Sequence, residues 1–145
     1  MNLKIINKSM YELPRYETEG SAGFDLRANI DKPLRIFHHS MTGFIPTGLF
    51  MKIEPGYEGE IRPRSGLAFK HGITLINSPG TIDSDYRGEI MVCLVNHSEE
   101  DYILEPGERI AQMLIKPVVK AEIVEVDELD DTTRGVGGFG STGKN

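Results

Sequence analysis

The chain has 145 residues, 39% of them hydrophobic, and carries a formal net charge of −6. This length suits one folded domain with a modest core, and no segment approaches the roughly 20 apolar residues that a membrane-spanning helix needs. The acidic balance argues against a protein that coats nucleic acid through phosphate contacts, although it is compatible with a small anionic substrate. We therefore expect neither nucleic acid nor a membrane as a partner. The first eight residues hold too short an apolar run for a signal peptide, so we expect a cytoplasmic location.

Short apolar segments separated by turn residues follow one another along most of the chain. Many short strands with regular turns are typical of an all-β sandwich or barrel. A single short helix is predicted after Ser65, through 66–70 and ending before Gly72. The predicted strands are 3–6, 22–28, 43–53, 57–62, 73–76, 89–95, 101–104, 109–116 and 118–126.

Two of these strands, 89–95 and 110–115, are apolar on both alternating faces. A strand in one layer of a sandwich normally has one polar face, so we expect both strands to be buried on both sides, for example against a partner subunit. After residue 128 the composition changes to Asp and Thr and then to glycine. We expect a body at 1–128 and a mobile tail at 129–145.

Strand 22–28 (AGFDLRA) and strand 109–113 (RIAQM) each place one polar residue among apolar ones. A buried acid such as Asp25 is costly unless it is paired or faces a metal. A buried glutamine such as Gln112 needs hydrogen-bond partners, which a ligand could supply. At the start of the predicted helix, Arg64 and the free N–H groups suit a phosphate, although Ser65 has an alternative role as the helix N-cap.

The segment 77–88 (NSPGTIDSDYRG) is the densest in functional groups. Its first four residues should turn sharply, so that the Asn77 amide and the exposed backbone could read the edge of a base. Asp83 and Asp85 point to the same side if the segment is extended, and one carboxylate could activate water or help hold a metal. Tyr86 could stack on a sugar. The alternative is a capped hairpin with a solvated acidic pair.

The tail at 134–143 (RGVGGFGSTG) is half glycine, yet it differs from a plain spacer. Glycines let backbone N–H groups approach an anion, while the Ser-Thr pair adds hydroxyls and Arg134 adds a forked cation. Phe139 adds one flat apolar face. Such an arm could close over a ligand with phosphates and an aromatic base; the alternatives are a frayed tail or an Arg-Gly-rich RNA contact.

In chain order, these segments resemble all five sequence motifs of the trimeric dUTP pyrophosphatase (dUTPase) family. One such motif is a weak signal, but five in register across nearly the whole chain are specific. The resemblance implies a dUTPase-like β-jelly-roll subunit with one short helix, assembled as a homotrimer with shared active sites. It also implies that water attacks the α-phosphorus of dUTP to give dUMP and pyrophosphate. That reaction keeps uracil out of DNA and supplies dUMP for dTMP synthesis. The motif segments are 22–28, 62–67, 77–88, 109–113 and 134–143.

By this resemblance Asp83 is the catalytic residue, which positions and activates the water, and Asp25 holds Mg²⁺ through bound water. The implied reaction is Mg²⁺-assisted, since the ion would fix the triphosphate and offset its charge. The resemblance assigns substrate binding to Arg64, Ser65, Gly66, Asn77, Thr81, Ile82, Tyr86, Met91, Gln112, Arg134, Phe139, Gly140, Ser141 and Thr142.

These residues divide by the part of dUTP that they are expected to contact. Residues 64–66, from a neighbouring subunit, and Gln112 contact phosphates. The hairpin at 77–82 has no room for the thymine methyl group and mismatches the amine of cytosine. Tyr86 leaves no space for a ribose 2′-hydroxyl, and Met91 also contacts the nucleoside.

The tail becomes a closing arm by the same resemblance. Arg134 approaches the phosphates, Phe139 covers the uracil ring, and Ser141 and Thr142 contact the terminal phosphate. A mobile arm of this kind admits substrate and releases product.

Two other functions remain open at this level. A dCTP deaminase shares the fold, but that family is expected to use a glutamate at its catalytic centre, where this chain has Asp83. A dUTP-binding module without activity is the other hypothesis, because folds are reused. The joint presence of Asp25, Asp83 and Arg134 counts against it.

Overall fold

A computed structural model describes residues 1–138 of the chain. Antiparallel strands make up most of its regular structure, so the predicted all-β class with one short helix is confirmed. The helix is α1 (Ser65–His71); within the described residues it is the only helix, and it is not long and apolar enough to cross a membrane. The strands are β1 (Lys4–Asn7), β2 (Phe24–Arg27), β3 (Leu34–Ile36), β4 (Ile45–Lys52), β5 (Tyr57–Arg62), β6 (Ile73–Leu75), β7 (Gly80–Ile82), β8 (Glu89–Val92), β9 (Leu94–Asn96), β10 (Tyr102–Leu104) and β11 (Arg109–Pro117).

The strands form four sheets, with the orders β1-β4-β8, β10-β3, β2-β11-β5-β7 and β6-β9. The two longest strands, β4 and β11, each lie between two neighbours, because a long apolar strand gains most from pairing on both edges. One hydrophobic cluster draws side chains from all four sheets and from α1. Its fully buried members include Leu26, Ile36, Ile45, Ile73, Ile90, Leu94, Leu104, Ile110 and Met113.

The expectation that two strands are buried on both faces holds for one of them. On β11, the consecutive pairs Ile110–Ala111 and Met113–Leu114 are buried. The other segment, 89–95, is divided at Cys93 into β8 and β9, which belong to different sheets. On β8, Ile90 and Val92 are buried on one face, whereas Met91 on the other face is 43% exposed.

Helix α1 is short because both of its ends are fixed by local chemistry. Gly72 follows it in the left-handed conformation, with φ of 66°, and its N–H bonds back to the carbonyls of Leu67 and Ala68. A side chain at this position would be strained and would meet the Ser98 backbone nitrogen at 2.9 Å. At the other end, the proposed N-cap was wrong by one residue. Arg64 occupies the cap position without a side-chain hydrogen bond, and Ser65 is the first helical residue.

The largest error in the predicted elements is the strand at 118–126, which has no β-structure. Val119 and Ile123 are 93% and 96% exposed, so within the described part of one chain this β-branched segment pairs with no strand and covers no core. Two three-residue strands, Leu34–Ile36 and Gly80–Ile82, were missed because they lie among turn residues. Within residues 1–138, regular structure ends at Pro117, and the division into a body and a mobile tail stays a prediction.

Candidate functional site

Four polar side chains meet where β2, β11 and β5 lie side by side. We call Asp25, Arg64, Arg109 and Gln112 the Asp25 cluster. Arg64 Nε donates to Asp25 Oδ1 at 2.9 Å, and Arg109 Nη1 donates to Asp25 Oδ2 at 3.1 Å. Gln112 Nε2 donates to the Pro63 carbonyl at 2.9 Å, which ties β11 to the turn before α1. The two polar residues of the apolar strands therefore both have hydrogen-bond partners: Asp25 has two arginines, and Gln112 has a backbone carbonyl.

A second charged group lies beside this cluster on β5 and β11. Glu60 binds Arg62 on its own strand and Lys116 Nζ at 2.8 Å on the neighbouring strand. Hydrogen bonds from Lys116 and then Arg62 hold the pKa of the Glu60 carboxyl below its ordinary value. Arg62 belongs to the same motif as Arg64, but it forms an ion pair with Glu60 instead of with Asp25.

The segment around β7 surrounds a concave surface that we call the hairpin pocket. Its wider part, about 320 Å³, is bounded by Asp83, Tyr86, Met91 and β7, and by Phe44 and Glu89. Its narrower part, about 50 Å³, is lined by the turn before β7 and by Cys93. Both parts share Thr81, Ile82 and Met91. The structure thereby brings together six of the residues predicted from sequence: Asn77, Thr81, Ile82, Asp83, Tyr86 and Met91.

Local hydrogen bonds shape the mouth of this pocket. The Tyr86 N–H donates to the Asp83 carbonyl at 3.1 Å, so this stretch turns and is not the extended segment in which Asp83 and Asp85 would share a side. The Tyr86 hydroxyl donates to the Glu89 carbonyl at 3.1 Å. Gly88 permits this position of the ring, because an added Cβ would lie 2.2 Å from the Tyr86 oxygen. Asp83 is exposed at the pocket's edge.

Strand register places the Asp25 cluster and Asp83 far apart within one chain. Asp25 lies opposite Gln112, which lies opposite Arg62, whereas Ile82 lies opposite Gly59. Asp83 therefore sits four residues along the sheet from the level of Asp25, and three strands away. At about 3.4 Å per residue and 4.8 Å per strand, the separation is about 20 Å.

Comparison with known proteins identifies the family. The dUTPase family model matches residues 10–143. The chain belongs to the dUTPase family. The deoxyuridine 5′-triphosphate nucleotidohydrolase of Nautilia profundicola is 58% identical over 145 residues, covering 99% of this chain and 100% of that protein. The protein of the same name from Fusobacterium nucleatum subsp. nucleatum is 54% identical over 144 residues, covering 99% and 98%. The solved structure of Staphylococcus bacteriophage 80alpha dUTPase with dUPNHPP has a TM-score of 0.87 at 25% identity, covering 98% of each chain.

The predicted dUTPase family, fold and reaction are confirmed by these comparisons: the enzyme hydrolyses dUTP to dUMP. They favour this activity over both the dCTP deaminase hypothesis and the binding-module hypothesis. The roles of individual residues within the dUTPase motifs stay predictions.

Of the two remaining dUTPase motifs, 62–67 lies wholly within the described residues and 134–143 only in part. Ser65 and Gly66 are exposed at the start of α1, next to Arg64 and hence to the Asp25 cluster. Arg134 is exposed, and its Nε donates to the Gly137 carbonyl at 2.8 Å within the arm. The other predicted arm residues, Phe139, Gly140, Ser141 and Thr142, lie outside the described residues.

The donor chemistry at Asp25 fits the Mg²⁺ ion that the dUTPase resemblance implies, provided that the contact runs through water. Both Asp25 oxygens accept guanidinium N–H groups, yet an ionised carboxylate has about four lone-pair positions and can also accept from metal-bound water. Within residues 1–138, no group of three or more His, Cys, Asp or Glu is placed to hold a metal. Mg²⁺ normally keeps several waters and binds substrate phosphates, so one carboxylate suits it.

Sequence reasoning missed three residues that the structure places at these sites. Arg109 stands in a quoted motif, but strict alternation puts it on the opposite face from Gln112. Phe44 and Glu89 line the hairpin pocket without any local signal, because a lone Phe between Gly and Ile looks like an ordinary strand residue. Cys93, which lines the narrower part of the pocket, is half-buried, and burial raises the pKa of its thiol.

Proposed function

We propose that the enzyme acts as a homotrimer whose active sites each combine residues of different copies. The observation that carries this proposal is the separation of about 20 Å between Asp25 and Asp83 in one chain, worked from strand spacings. Water held by Asp83 must approach the α-phosphorus to about 3–3.5 Å. An ion held at Asp25 must bind phosphates of the same nucleotide at about 2.1 Å. Asp25 and Asp83 of one chain are too far apart to meet both distance requirements on one nucleotide, whereas Asp25 of one copy can face Asp83 of another.

Exposed apolar side chains also support assembly. Val119, Ile123 and Leu129 are 93%, 96% and 86% exposed in the single chain. Strand β1 is one of the two edges of its sheet, and beside it lies an apolar groove of about 530 Å³ lined in part by Leu3 and Ile5. Large exposed apolar surface of this kind is typical of a contact between proteins.

Asp83 acts on the water that attacks the α-phosphorus. The carboxylate accepts a hydrogen bond from the water and aims its lone pair along the line of attack, and it can accept a proton as the new bond forms. Because Asp83 is exposed, its contribution is as much orientation as proton transfer. The leaving group is pyrophosphate.

The hairpin pocket selects uracil and deoxyribose. The Asn77 amide and the backbone of β7 pair with the polar edge of the base, so that an amine in place of a carbonyl leaves buried groups mismatched. Tyr86 packs on the sugar where a ribose 2′-hydroxyl would project. Met91 supplies apolar contact between the two parts of the pocket.

The phosphates bind at the Asp25 cluster of a neighbouring copy. Arg64 and Gln112 turn donors toward the phosphate oxygens, and Ser65 and Gly66 add donors at the start of α1. Mg²⁺, when bound through water to Asp25, supplies charge compensation for the triphosphate. The arm that begins at Arg134 closes over the nucleotide, with Phe139 on the uracil ring and the Ser-Thr pair on the terminal phosphate.

Mixing two inactive variants tests the shared site. Asp25→Asn supplies an intact hairpin pocket, and Asp83→Asn supplies an intact Asp25 cluster. Co-expression of the two, followed by purification on both of their different tags, should restore one site in each mixed trimer, about a third of the sites, because only one interface of a cyclic trimer then combines the two intact residues. The matched control pairs Asp25→Asn with the double variant that carries both substitutions. Pyrophosphate release from dUTP no greater than in this control would contradict a site shared between copies.

A further inference from the structure

Arg109 reaches Asp25 only because β11 is irregular. The pairing of β11 with β2 shifts between Arg109 and Ala111, so that Ile110 is an extra residue opposite no partner. In a regular strand, residues 109 and 112 would point to opposite faces. The bulge lets Ile110 and Ala111 both enter the core, where they are 1% and 0% exposed, and turns Arg109 to the side of Gln112 and Asp25. Bulges are common beside active sites, where they re-aim a side chain.

Asp25 is consequently held by two cations, one on each oxygen. Their environments differ: the Arg64 side chain is 28% exposed and that of Arg109 is 40% exposed. Arg64 begins the turn into α1, beside Ser65 and Gly66, and so lies where the phosphates are proposed to bind. Arg109 is anchored on β11. The two arginines are linked directly, because Arg64 Nη1 approaches the Arg109 carbonyl at 3.4 Å.

Binding of a triphosphate would set these two partners in different roles. When Arg64 turns its guanidinium to give two parallel donors to a phosphate, its Nε leaves Asp25 Oδ1, and the carboxylate loses one of its two cations. A carboxylate left without a cation would repel the polyphosphate and would be free to rotate. A second arginine on the other oxygen prevents both effects while leaving lone pairs for metal-bound water.

We propose that Arg109 is a positioning residue that holds and neutralises Asp25 when Arg64 turns to the phosphates of dUTP. Arg109 acts through the carboxylate and does not itself bind the nucleotide. The inference rests on the proposed roles of Asp25 and Arg64.

A double-mutant cycle tests this proposal through binding alone. The affinity of dUPNHPP, the imido analogue of dUTP, is measured by calorimetry with Mg²⁺ for the unchanged enzyme, Arg109→Gln, Asp25→Asn and the double variant. Arg109→Gln removes one charge-assisted hydrogen bond to Asp25, so it should weaken the binding of dUPNHPP about tenfold or more. In the Asp25→Asn background the same substitution should have no further effect. Arg109→Lys should recover part of the affinity, since an ammonium group can still reach one carboxylate oxygen.

Arg27→Gln is the matched control. Arg27 lies directly opposite Arg109 in the sheet, but its Nη1 donates to the Gly107 carbonyl at 2.8 Å instead of to Asp25. Arg27→Gln should leave the affinity for dUPNHPP within about twofold of that of the unchanged enzyme, because surface substitutions usually have small effects. Thermal unfolding of each variant shows whether the fold is kept; if Arg109→Gln does not fold, the cycle is run with Arg109→Lys.

The outcomes separate this inference from the proposed function. If Arg109→Gln lowers the affinity for dUPNHPP equally in the unchanged enzyme and in the Asp25→Asn background, Arg109 contacts the nucleotide itself. That result would overturn the positioning role. An unchanged affinity in Arg109→Gln would overturn it as well. Full affinity and full Mg²⁺ response in Asp25→Asn would instead refute the metal role of Asp25, and the inference would fall with it.

Discussion

Substitution of Gly88 by alanine should loosen the selection of deoxyribose without unfolding the enzyme. The added Cβ would lie 2.2 Å from the Tyr86 oxygen, so the ring must retreat by about 1 Å or more to reach ordinary contact. That movement breaks the 3.1 Å bond from the Tyr86 hydroxyl to the Glu89 carbonyl. Without this bond the ring must be brought back against the sugar when dUTP binds, at a cost of the order of one hydrogen bond, about 0.5–1.5 kcal/mol, which corresponds to about a 2- to 10-fold rise in KM for dUTP. The preference for dUTP over UTP should fall by a similar factor.

The assay is steady-state pyrophosphate release with dUTP and UTP, together with thermal unfolding. Because Tyr86 is 43% exposed, water replaces the lost bond, and the free energy of unfolding should change by less than about 0.5 kcal/mol. Gly20→Ala is the control, since an added Cβ there has no atom within 4 Å. Tyr86→Phe separates loss of the bond from displacement of the ring. If Gly88→Ala keeps the KM and the dUTP preference of the unchanged enzyme, the position of Tyr86 does not select the sugar.

Three further perturbations test other parts of the structure. Asp83→Asn should abolish turnover and leave binding of dUPNHPP within a few-fold; lost binding in calorimetry would make the residue structural. Deletion of 134–145 should leave a folded assembly with little activity, and dissociation in sedimentation would refute the arm assignment. Hydrogen bonds from the His38 backbone and ring, and then from Arg35, lower the pKa of Asp101 from 3.8 to about 2. Since the folded pKa is depressed, its stabilisation is present above about pH 4 and is lost as the pH falls toward 2. Urea unfolding of Asp101→Asn should therefore depend less on pH in that window than unfolding of the unchanged enzyme, and equal dependence would contradict the ion pairs.

Local chemistry was enough to locate α1 and most of the longer strands. Gly72 could be recognised as the helix end because glycine adopts the left-handed conformation found there. The strand boundaries at 57–62 and 101–104 were nearly correct, since turn residues flank them. The strand at 118–126 failed for a different reason: a β-branched pattern favours a strand, but a strand also needs a partner, and within residues 1–138 of one chain this segment pairs with none.

The motifs themselves were recoverable because each has a chemical signature in sequence. Asn77, Asp83 and Tyr86 lie within ten residues of one another, so one turn and one short strand bring them to one pocket. Asp25 and Gln112 were singled out as polar residues in apolar strands, and register places them directly opposite each other. What they contact could not be predicted, because their partners come from distant segments.

The sequence by itself determined the all-β class, because that class depends on short-range patterns of apolar and turn residues. Its resemblance to the dUTPase motifs indicated the family, the reaction and the residues that carry the motifs. Only the tertiary structure decided how those residues are grouped. Register set the distance of about 20 Å between Asp25 and Asp83. A single bulge turned Arg109 toward Asp25, against the alternation of its strand. Both facts arise from hydrogen bonds between strands remote in sequence, which no local pattern records.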